Sequence, residues 1–204
     1  MTNESLFFRD KLPFDNFRDV VMPALLEARK RTKFIRIWCA AAATGQEPYS
    51  LAMILKETAS DLFYSNVLIR AVDLDPGALE RATEARYSHW ALRETSPELR
   101  GRWFRTAGRD VTLDPEIRSA VVFEHRNLTA DDPDLWKPDF YDVVFCRNVI
   151  MYFSPEKMRS VVARIARSLV PGGYLFLGHA ETLRGLSQEF HLLHTHDTFY
   201  YKRR

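Results

Sequence analysis

Polar side chains follow apolar runs in this 204-residue sequence, at points where strands are expected to end. Asp73 follows the run at residues 67–72, and Arg147 follows the run at residues 141–146. A carboxylate can accept hydrogen bonds from sugar hydroxyls, and a guanidinium can bind a carboxylate through two parallel hydrogen bonds. Because ligands bind beyond the carboxyl ends of parallel strands, these residues predict a crevice for a small polar ligand.

A loop of small residues follows the first apolar run and would let the backbone approach a ligand closely; residues 40–45 are AAAATG. The loop lacks the GxGxxG pattern of dinucleotide-binding loops. Asp73 lies 28 residues after Gly45, somewhat beyond the spacing of about 20 that is typical of a ribose-binding acid. We predict that Asp73 accepts both hydroxyls of an adenosine ribose. The alternative is a cap on the following helix, but Asp75 already fills that role.

The segment at residues 145–153, FCRNVIMYF, places an arginine, an asparagine and a tyrosine among apolar residues. Together Arg147, Asn148 and Tyr152 favour a functional site. Taken singly, Arg147 could be a surface ion-pair partner and Tyr152 a core aromatic. Asn127 also leaves two interpretations open, because its amide could serve an adenine edge or a helix end equally well.

Five short, continuous apolar runs predict strands that are buried on both faces, as in a parallel sheet covered by helices. They span residues 35–40, 67–72, 121–123, 141–146 and 174–177. Two further strand-like pieces around His196-Asp197 predict an antiparallel hairpin at the edge of the sheet. Because helical patterns alternate with the strands, the predicted fold class is α/β and doubly wound.

Two helices between these strands carry start signals. Asp75-Pro76 supplies an N-cap and a first-turn proline for a predicted helix at residues 77–86. Ser154-Pro155 does the same for residues 156–169. Pro171-Gly172-Gly173 is predicted to end the second helix.

Two stretches lie outside this alternation. Residues 1–33 are predicted to form a helical lead-in with a kink at Pro23. Residues 100–119 are polar, contain Gly108 and Pro115, and are predicted to form a small β subdomain inserted before the third core strand. We expect residues 1–204 to form one domain. The apolar stripe of the lead-in consists of Phe14, Phe17, Val20, Val21 and Leu25.

The composition is typical of a globular protein, with 46% hydrophobic and 27% charged residues. No apolar run reaches the roughly 20 residues that a membrane span needs, and the amino end lacks the layout of a secretory signal. Cys39 and Cys146 are too few for a disulfide framework and wrongly spaced for zinc, so we expect no metal. A net charge of +2 gives no field that demands nucleic acid. We expect a cytoplasmic protein that is monomeric by default.

Five segments, in order along the chain, resemble the motif series of the CheR family of chemotaxis protein-glutamate O-methyltransferases. They are NESLFFRD at 3–10, TGQEPYS at 44–50, AVDLD at 71–75, FCRNVIMYF at 145–153 and PGGYLFLGHAE at 171–181. The likeness runs from residue 3 to about residue 201. The resemblance implies a Rossmann-like class I methyltransferase fold with S-adenosylmethionine as cofactor. It also implies that glutamates on the cytoplasmic helices of chemoreceptors are the substrate.

The same resemblance implies roles for individual residues. Arg9 matches the arginine that steers the substrate carboxylate, and Tyr152 matches the aromatic residue near the transferring methyl, so these two are the expected catalytic residues. Glu47 matches the acid near the methionine amino group, and Ser5 stands where threonine is usual. The expected cofactor-binding residues are Asn3, Ser5, Arg9, Glu47, Asp73, Asn127, Leu128, Arg147 and Asn148.

The sequence departs from the family pattern in three respects. The chain begins almost on the asparagine motif, so we expect the family's helical amino-terminal domain to be absent. Gln46 stands where an acid is common, and Ala180 stands where serine is common. The β excursion at residues 105–115 is short beside members that dock on a receptor's carboxy-terminal pentapeptide, so we expect no dependence on that tether.

Other functions compete with this interpretation. The chain could be a non-catalytic S-adenosylmethionine-binding regulatory module, or a carboxyl methyltransferase acting on another signalling protein. The intact set of Arg9, Asp73, Arg147, Asn148 and Tyr152 argues against a module that has lost turnover. Methylation of nucleic acid is disfavoured, because the Asp/Asn-Pro-Pro-aromatic motif of amino-methylating DNA enzymes does not occur.

Overall fold

The computed structural model describes residues 5–32, 34–63 and 66–204, so Asn3, one of the expected cofactor-binding residues, lies outside the described residues. The strands are β1 (Ile35–Cys39), β2 (Val67–Asp73), β3 (Arg86–Ser88), β4 (Phe104–Ala107), β5 (Asp110–Leu113), β6 (Val121–His125), β7 (Tyr141–Cys146), β8 (Leu169–Leu177), β9 (Phe190–Thr195) and β10 (Thr198–Arg203). The α-helices are α1 (Leu12–Asn16), α2 (Met22–Ala28), α3 (Gln46–Thr58), α4 (Ser60–Phe63), α5 (Pro76–Glu84), α6 (Pro97–Trp103), α7 (Pro115–Ser119) and α8 (Pro155–Ser168). A π-helical segment spans Phe17–Val21, and 3₁₀ turns span His89–Leu92 and Ile150–Tyr152.

The main sheet has seven strands in the order β6-β2-β1-β7-β8-β10-β9. Parallel pairing joins β6, β2, β1, β7 and β8, whereas β10 is antiparallel to both β8 and β9. The chain runs outward from β1 through β2 to β6 and then returns to β7 on the other side of β1. The carboxyl ends of β1 and β7 therefore flank the topological switch point, where ligands bind in doubly wound sheets. The predicted α/β fold, mostly parallel with an antiparallel carboxy-terminal hairpin, is confirmed.

Strand register brings the predicted strand exits together. Cys39 at the end of β1 pairs with Ala71 on one side and with Phe145 on the other. Asp73 at the end of β2 pairs with His125 at the end of β6. The loops that follow these four strands therefore converge at one edge of the sheet.

Aromatic packing covers one face of the sheet. The ring of Phe145 stacks on that of Phe176, with centroids 4.5 Å apart. Phe14 and Phe17 from the amino-terminal helix lie over Phe145 at 5.9 and 5.7 Å. Fully burying a side chain of this kind is worth about 1.5–3 kcal/mol, so this cluster holds the amino-terminal helix on the sheet.

The opposite face of the sheet is covered by α8, whose Val161, Val162 and Ile165 are buried with Trp38. Ser154 caps this helix through the Lys157 N–H, as predicted. Among the helices of the described ranges, none has both the length and the apolar character required to cross a membrane.

The end of α8 differs from the prediction. The helix ends at Ser168, and β8 begins at once with Leu169. The prediction that Pro171-Gly172-Gly173 ends the helix was wrong, because this triplet lies inside β8. There the pairing with β7 shifts register between Tyr141 and Val143, so the extra residues form an irregularity in the strand.

The amino-terminal helix runs from Leu12 to Ala28 with a π-helical segment in its middle. The Met22 N–H donates to the Phe17 carbonyl, one residue farther back than in an α-helix. Pro23, which has no N–H to donate, is the second residue of α2, and α2 begins directly after the π segment. The irregular hydrogen bonding of the helix therefore lies next to the proline.

A small antiparallel sheet, in the order β3-β5-β4, stands apart from the main sheet. The predicted excursion at residues 100–119 contains β4 and β5, while β3 comes from residues 86–88. Phe7 anchors the amino-terminal segment here, because its ring packs edge-on against Tyr87 at 4.8 Å and Phe104 at 4.9 Å. The segment that follows Phe7 is thereby fixed over the carboxyl ends of the central strands.

Candidate functional site

A cleft of about 900 Å³ lies at the carboxyl ends of the central strands. Its volume is in the range of small-molecule and cofactor sites. Of the residues expected to act, all that the structure describes line this one cleft. They are Ser5, Arg9, Glu47, Asp73, Asn127, Leu128, Arg147, Asn148 and Tyr152.

The loop between β1 and α3 forms the floor of the cleft. The backbone turns sharply at Ala43 and Gly45, whose φ angles are 47° and 93°. A Cβ on Gly45 would lie 3.0 Å from the Tyr49 ring and 3.1 Å from the Ala82 Cβ, so the position requires glycine both for its φ and for its space. Small residues at this loop leave the backbone accessible to a ligand.

Asp73 ends β2 with its carboxylate at the cleft. Its Oδ2 accepts from the Ala43 N–H at 2.8 Å, and its Oδ1 accepts from the Asp75 N–H at 3.0 Å. The N-cap of α5 is Asp75, whose Oδ1 accepts from the Gly77 N–H at 2.9 Å, so Asp73 does not cap this helix. Since each carboxylate oxygen can accept about two hydrogen bonds, Asp73 retains acceptor capacity toward the cleft.

Asn127 and Leu128 form the wall after β6. The Asn127 Oδ1 accepts from both the N–H and the hydroxyl of Thr129 at 2.9 Å, which makes a local turn rather than a helix cap. Its NH₂ group remains available as a donor. Leu128 is buried, and the neighbouring Arg126 is held by ion pairs with Glu124 and other acids.

Glu47 and Arg147 form a buried ion pair at the centre of the cleft, with exposed fractions of 13% and 2% for their side chains. The Arg147 Nη1 donates to the Glu47 Oε2 at 3.0 Å. Burial raises the pKa of the Glu47 carboxyl above its usual value, and the Arg147 charge opposes that rise. The Arg147 Nε is buried with no hydrogen-bond partner among the described residues, so this guanidinium keeps donor capacity.

Hydrogen bonds from Arg147 fix the amino-terminal turn that carries Arg9. The Arg147 Nη2 donates to the Arg9 carbonyl at 3.0 Å and to the Asp10 Oδ2 at 2.8 Å. The residues on either side of Arg9, Phe8 and Asp10, both have positive φ angles, of 55° and 60°. The Arg9 backbone is therefore fixed. Its guanidinium forms no hydrogen bond or ion pair within the described ranges, and Arg9 lines the cleft.

The loop after β7 carries Asn148 and Tyr152. Tyr152 is 65% exposed at the mouth of the cleft, which excludes the alternative of a core aromatic. Arg147 is buried and paired with two acids, which excludes a surface ion pair. Glu181 holds this loop through its backbone N–H groups. Glu181 lies within the segment PGGYLFLGHAE, but no local pattern in the sequence marks it as a site residue.

The described residues contain no group of three or more His, Cys, Asp or Glu side chains that could hold a metal ion. Cys39 and Cys146 are free and fully buried in neighbouring strands. Burial raises the pKa of both thiols well above the usual value, so neither is prepared to act as a nucleophile.

The donor set of the cleft fits S-adenosylmethionine. Asp73 offers acceptors for two ribose hydroxyls, and Glu47 offers a carboxylate for an ammonium group. Leu128 provides an apolar wall for a purine. The sheet order and the position of this cleft define a Rossmann-like methyltransferase fold of class I.

The chain belongs to the family described as "CheR methyltransferase, SAM binding domain", which matches residues 3–199. The predicted family, the S-adenosylmethionine cofactor and the methyltransferase class are confirmed by this match. The protein is similar to the "Chemotaxis protein methyltransferase" of Vibrio parahaemolyticus, at 39% identity over 98% of this chain and 72% of the relative. It is also similar to "Chemotaxis protein methyltransferase 1" of Pseudomonas aeruginosa, at 41% identity over 94% of this chain and 70% of the relative.

Proposed function

We propose that this protein transfers the methyl group of S-adenosylmethionine to glutamate side chains of chemoreceptors and forms glutamate methyl esters. The observation that carries the proposal is that Arg9 and Tyr152 line the same cleft as Glu47 and Asp73. An arginine beside a cofactor cleft suits a carboxylate substrate. The names of the relatives, chemotaxis protein methyltransferases, support chemoreceptors as the source of that carboxylate.

We assign the cofactor contacts by chemistry. Asp73 would accept the ribose hydroxyls, Glu47 would accept from the ammonium group, and Asn127 would donate to the adenine edge beside Leu128. Arg147 lies between these contacts and the Arg9 turn, so it keeps the Glu47 carboxylate charged and oriented. The remaining expected contacts, Ser5 and Asn148, line the same cleft.

S-adenosylmethionine supplies a methyl group on a positively charged sulfur. The glutamate oxygen forms a bond to the methyl carbon while the bond from that carbon to sulfur breaks, and the electron pair of the broken bond stays on sulfur. A glutamate with its usual pKa of about 4.3 is ionised at neutral pH, so the site needs no strong general base. Catalysis by the chain's own residues therefore consists of alignment and exclusion of water.

Arg9 is suited to orient the substrate carboxylate. Its backbone is held by Arg147. Its charge adds to that of Arg147 in opposing the rise that burial causes in the pKa of Glu47. Bidentate hydrogen bonds from Arg9 would hold one carboxylate oxygen in line with the methyl group. Tyr152 would present its electron-rich face or hydroxyl to the positive sulfur.

We further propose that the protein acts in the cytoplasm as a monomer and does not depend on a receptor's carboxy-terminal pentapeptide. Only Gly108 and Arg109 join β4 to β5, so the hairpin of the small sheet is short. The proposed substrate is the set of cytoplasmic receptor helices that carry the modified glutamates.

The test is transfer of tritiated methyl from S-adenosylmethionine to a purified receptor cytoplasmic fragment. Label that is released as methanol by mild base identifies a methyl ester. We expect the wild type to label the fragment, and a fragment whose modified glutamates are changed to glutamine to remain unlabelled. Removal of the carboxy-terminal pentapeptide from the fragment should leave the rate unchanged.

Matched arginine variants separate substrate orientation from folding. Arg9→Ala should abolish most transfer, whereas Arg167→Ala, at an exposed position of α8, should retain it. A wild type that binds S-adenosylhomocysteine but labels no receptor fragment would contradict the proposal and favour a non-catalytic binding module.

A further inference from the structure

We propose that Glu181 is a positioning residue for methyl transfer, because its carboxylate fixes the loop that presents Asn148 and Tyr152 to the cleft. The inference rests on the proposed function, in which Tyr152 lies beside the transferring methyl. It assigns a role to a side chain that does not line the cleft itself.

The Glu181 carboxylate accepts hydrogen bonds from four backbone N–H groups. Its Oε2 accepts from Asn148 at 2.8 Å and from Gly178 at 2.8 Å. Its Oε1 accepts from Val149 at 2.9 Å and from Met151 at 3.4 Å. One side chain therefore satisfies three of the N–H groups between the end of β7 and Tyr152.

A strained backbone at Asn148 makes this convergence possible. Asn148 has a φ of 59°, in the left-handed region that asparagine tolerates better than most residues. Successive N–H groups around such a residue point into one concavity, which suits an anion. The Glu181 carboxylate fills that concavity, and its position is set by a turn in which the Glu181 N–H donates to the Gly178 carbonyl at 2.9 Å.

Gly178 also contributes to the contact between Glu181 and the loop after β7. A Cβ on Gly178 would lie 2.7 Å from the Asn148 Nδ2 and 2.9 Å from the Glu181 Oε2. Both contacts are shorter than a Cβ tolerates, so a side chain at position 178 would displace the Asn148 amide or the Glu181 carboxylate.

Tyr152 depends on this backbone for its place. Ile150 is buried and anchors the start of the 3₁₀ turn, whereas the Tyr152 ring is 65% exposed and has little packing of its own. Loss of the Glu181 anchor would therefore move Tyr152 while leaving the core intact.

The first test observes the position of Tyr152 directly and requires no receptor. The full chain contains eight tyrosines and is labelled with 3-fluorotyrosine, and the fluorine resonance of Tyr152 is assigned from its loss in Tyr152→Phe. With saturating S-adenosylhomocysteine, Glu181→Gln should shift or broaden the Tyr152 resonance and leave those of Tyr49 and Tyr200, which are in the core, unchanged. Glu189→Gln, at an exposed site, is the matched control and should change none of them.

An unchanged Tyr152 resonance in folded Glu181→Gln would overturn the proposal. Should that variant fail to fold, Glu181→Asp and Gly178→Ala provide the same comparison. Each should shift or broaden the Tyr152 resonance, and an unchanged resonance in a folded variant would again overturn the proposal. Because the resonance is measured without methyl transfer, a failure of the proposed receptor activity leaves this test intact.

Kinetics supply the second readout. Glu181→Gln should lower kcat by up to about 10-fold, no more than the loss expected for removing the Tyr152 ring, and leave the KM for the receptor fragment near that of the wild type. Glu181→Asp should restore part of kcat, because it keeps the charge. A purely structural role would instead lower the thermal midpoint of both variants with kcat unchanged at low temperature, and that outcome would overturn the proposal.

Discussion

Replacing Asp73 with asparagine tests the ribose site with the smallest change that the position allows. Asparagine keeps the size of the side chain and one acceptor oxygen, but it loses the charge and converts the other oxygen to NH₂. The two oxygens of Asp73 accept from the N–H groups of Ala43 and Asp75, so the new NH₂ must face one of these donors. The variant is therefore a weaker acceptor for the ribose hydroxyls, and it disturbs the backbone at Ala43 or Asp75 that Asp73 holds.

The magnitude follows from the hydrogen bonds involved. A hydrogen bond to a charged group is worth about 1.5–3 kcal/mol, against about 0.5–1.5 kcal/mol for a neutral pair. One ribose hydroxyl of the bound ligand loses its partner outright, and the other exchanges a charged acceptor for a neutral one. The sum is roughly 3 kcal/mol, which corresponds to about 100-fold in affinity.

Calorimetric titration with S-adenosylhomocysteine measures this loss at fixed pH and salt. The matched control is Asp114→Asn, because Asp114 accepts from the backbone N–H two residues ahead at 2.9 Å, as Asp73 does at 3.0 Å, but lies outside the cleft. The control should bind like the wild type. Equal affinity of the wild type and a folded Asp73→Asn variant would refute the assignment of Asp73 to the ribose.

Three further predictions test the charge, the aromatic group and the core. Burial raises the pKa of Glu47, so its carboxylate becomes protonated, and loses its charge, at a higher pH than the carboxylate of an exposed glutamate. The affinity for S-adenosylhomocysteine should therefore fall as pH decreases through that raised pKa, and a Glu47→Gln variant with the same pH profile would contradict this. Tyr152→Ala should lower kcat about 10-fold in a radiolabel assay, whereas Tyr152→Phe, which keeps the ring face, should lower it much less. Equal losses of kcat in the two variants would assign the effect to the hydroxyl. Phe145→Ala removes a ring stacked on Phe176 and should lower the free energy of unfolding by about 3–5 kcal/mol in urea titrations. A loss below about 1 kcal/mol would show that this stacking contributes little.

The five parallel strands and their order along the chain could be predicted because each contains a short apolar run. The prediction that all five are buried on both faces was wrong for β6, which lies at the sheet edge and is only partly buried. β7 matches its predicted residues, Tyr141 to Cys146, and all six are buried. The limits of β8 could not be predicted in the same way. Pro171-Gly172-Gly173 carries a strong local stop signal, but Leu169 and Tyr174 on either side of it pair with β7. The triplet is therefore held within the strand as an irregularity, and tertiary pairing overrides local preference.

By itself the sequence determined which residues could form the site, because parallel strands bring their carboxyl ends to one edge and the polar residues follow those ends. Asp73 and Arg147 were predicted on that ground, and the motif segments supplied the family. Only the tertiary structure decided how these residues are paired. Arg147 meets Glu47, which lies 100 residues away in sequence, and Glu181 meets Asn148, which lies 33 residues away. Such contacts have no local signature, since they depend on which strands are neighbours and on a backbone that turns through a left-handed residue.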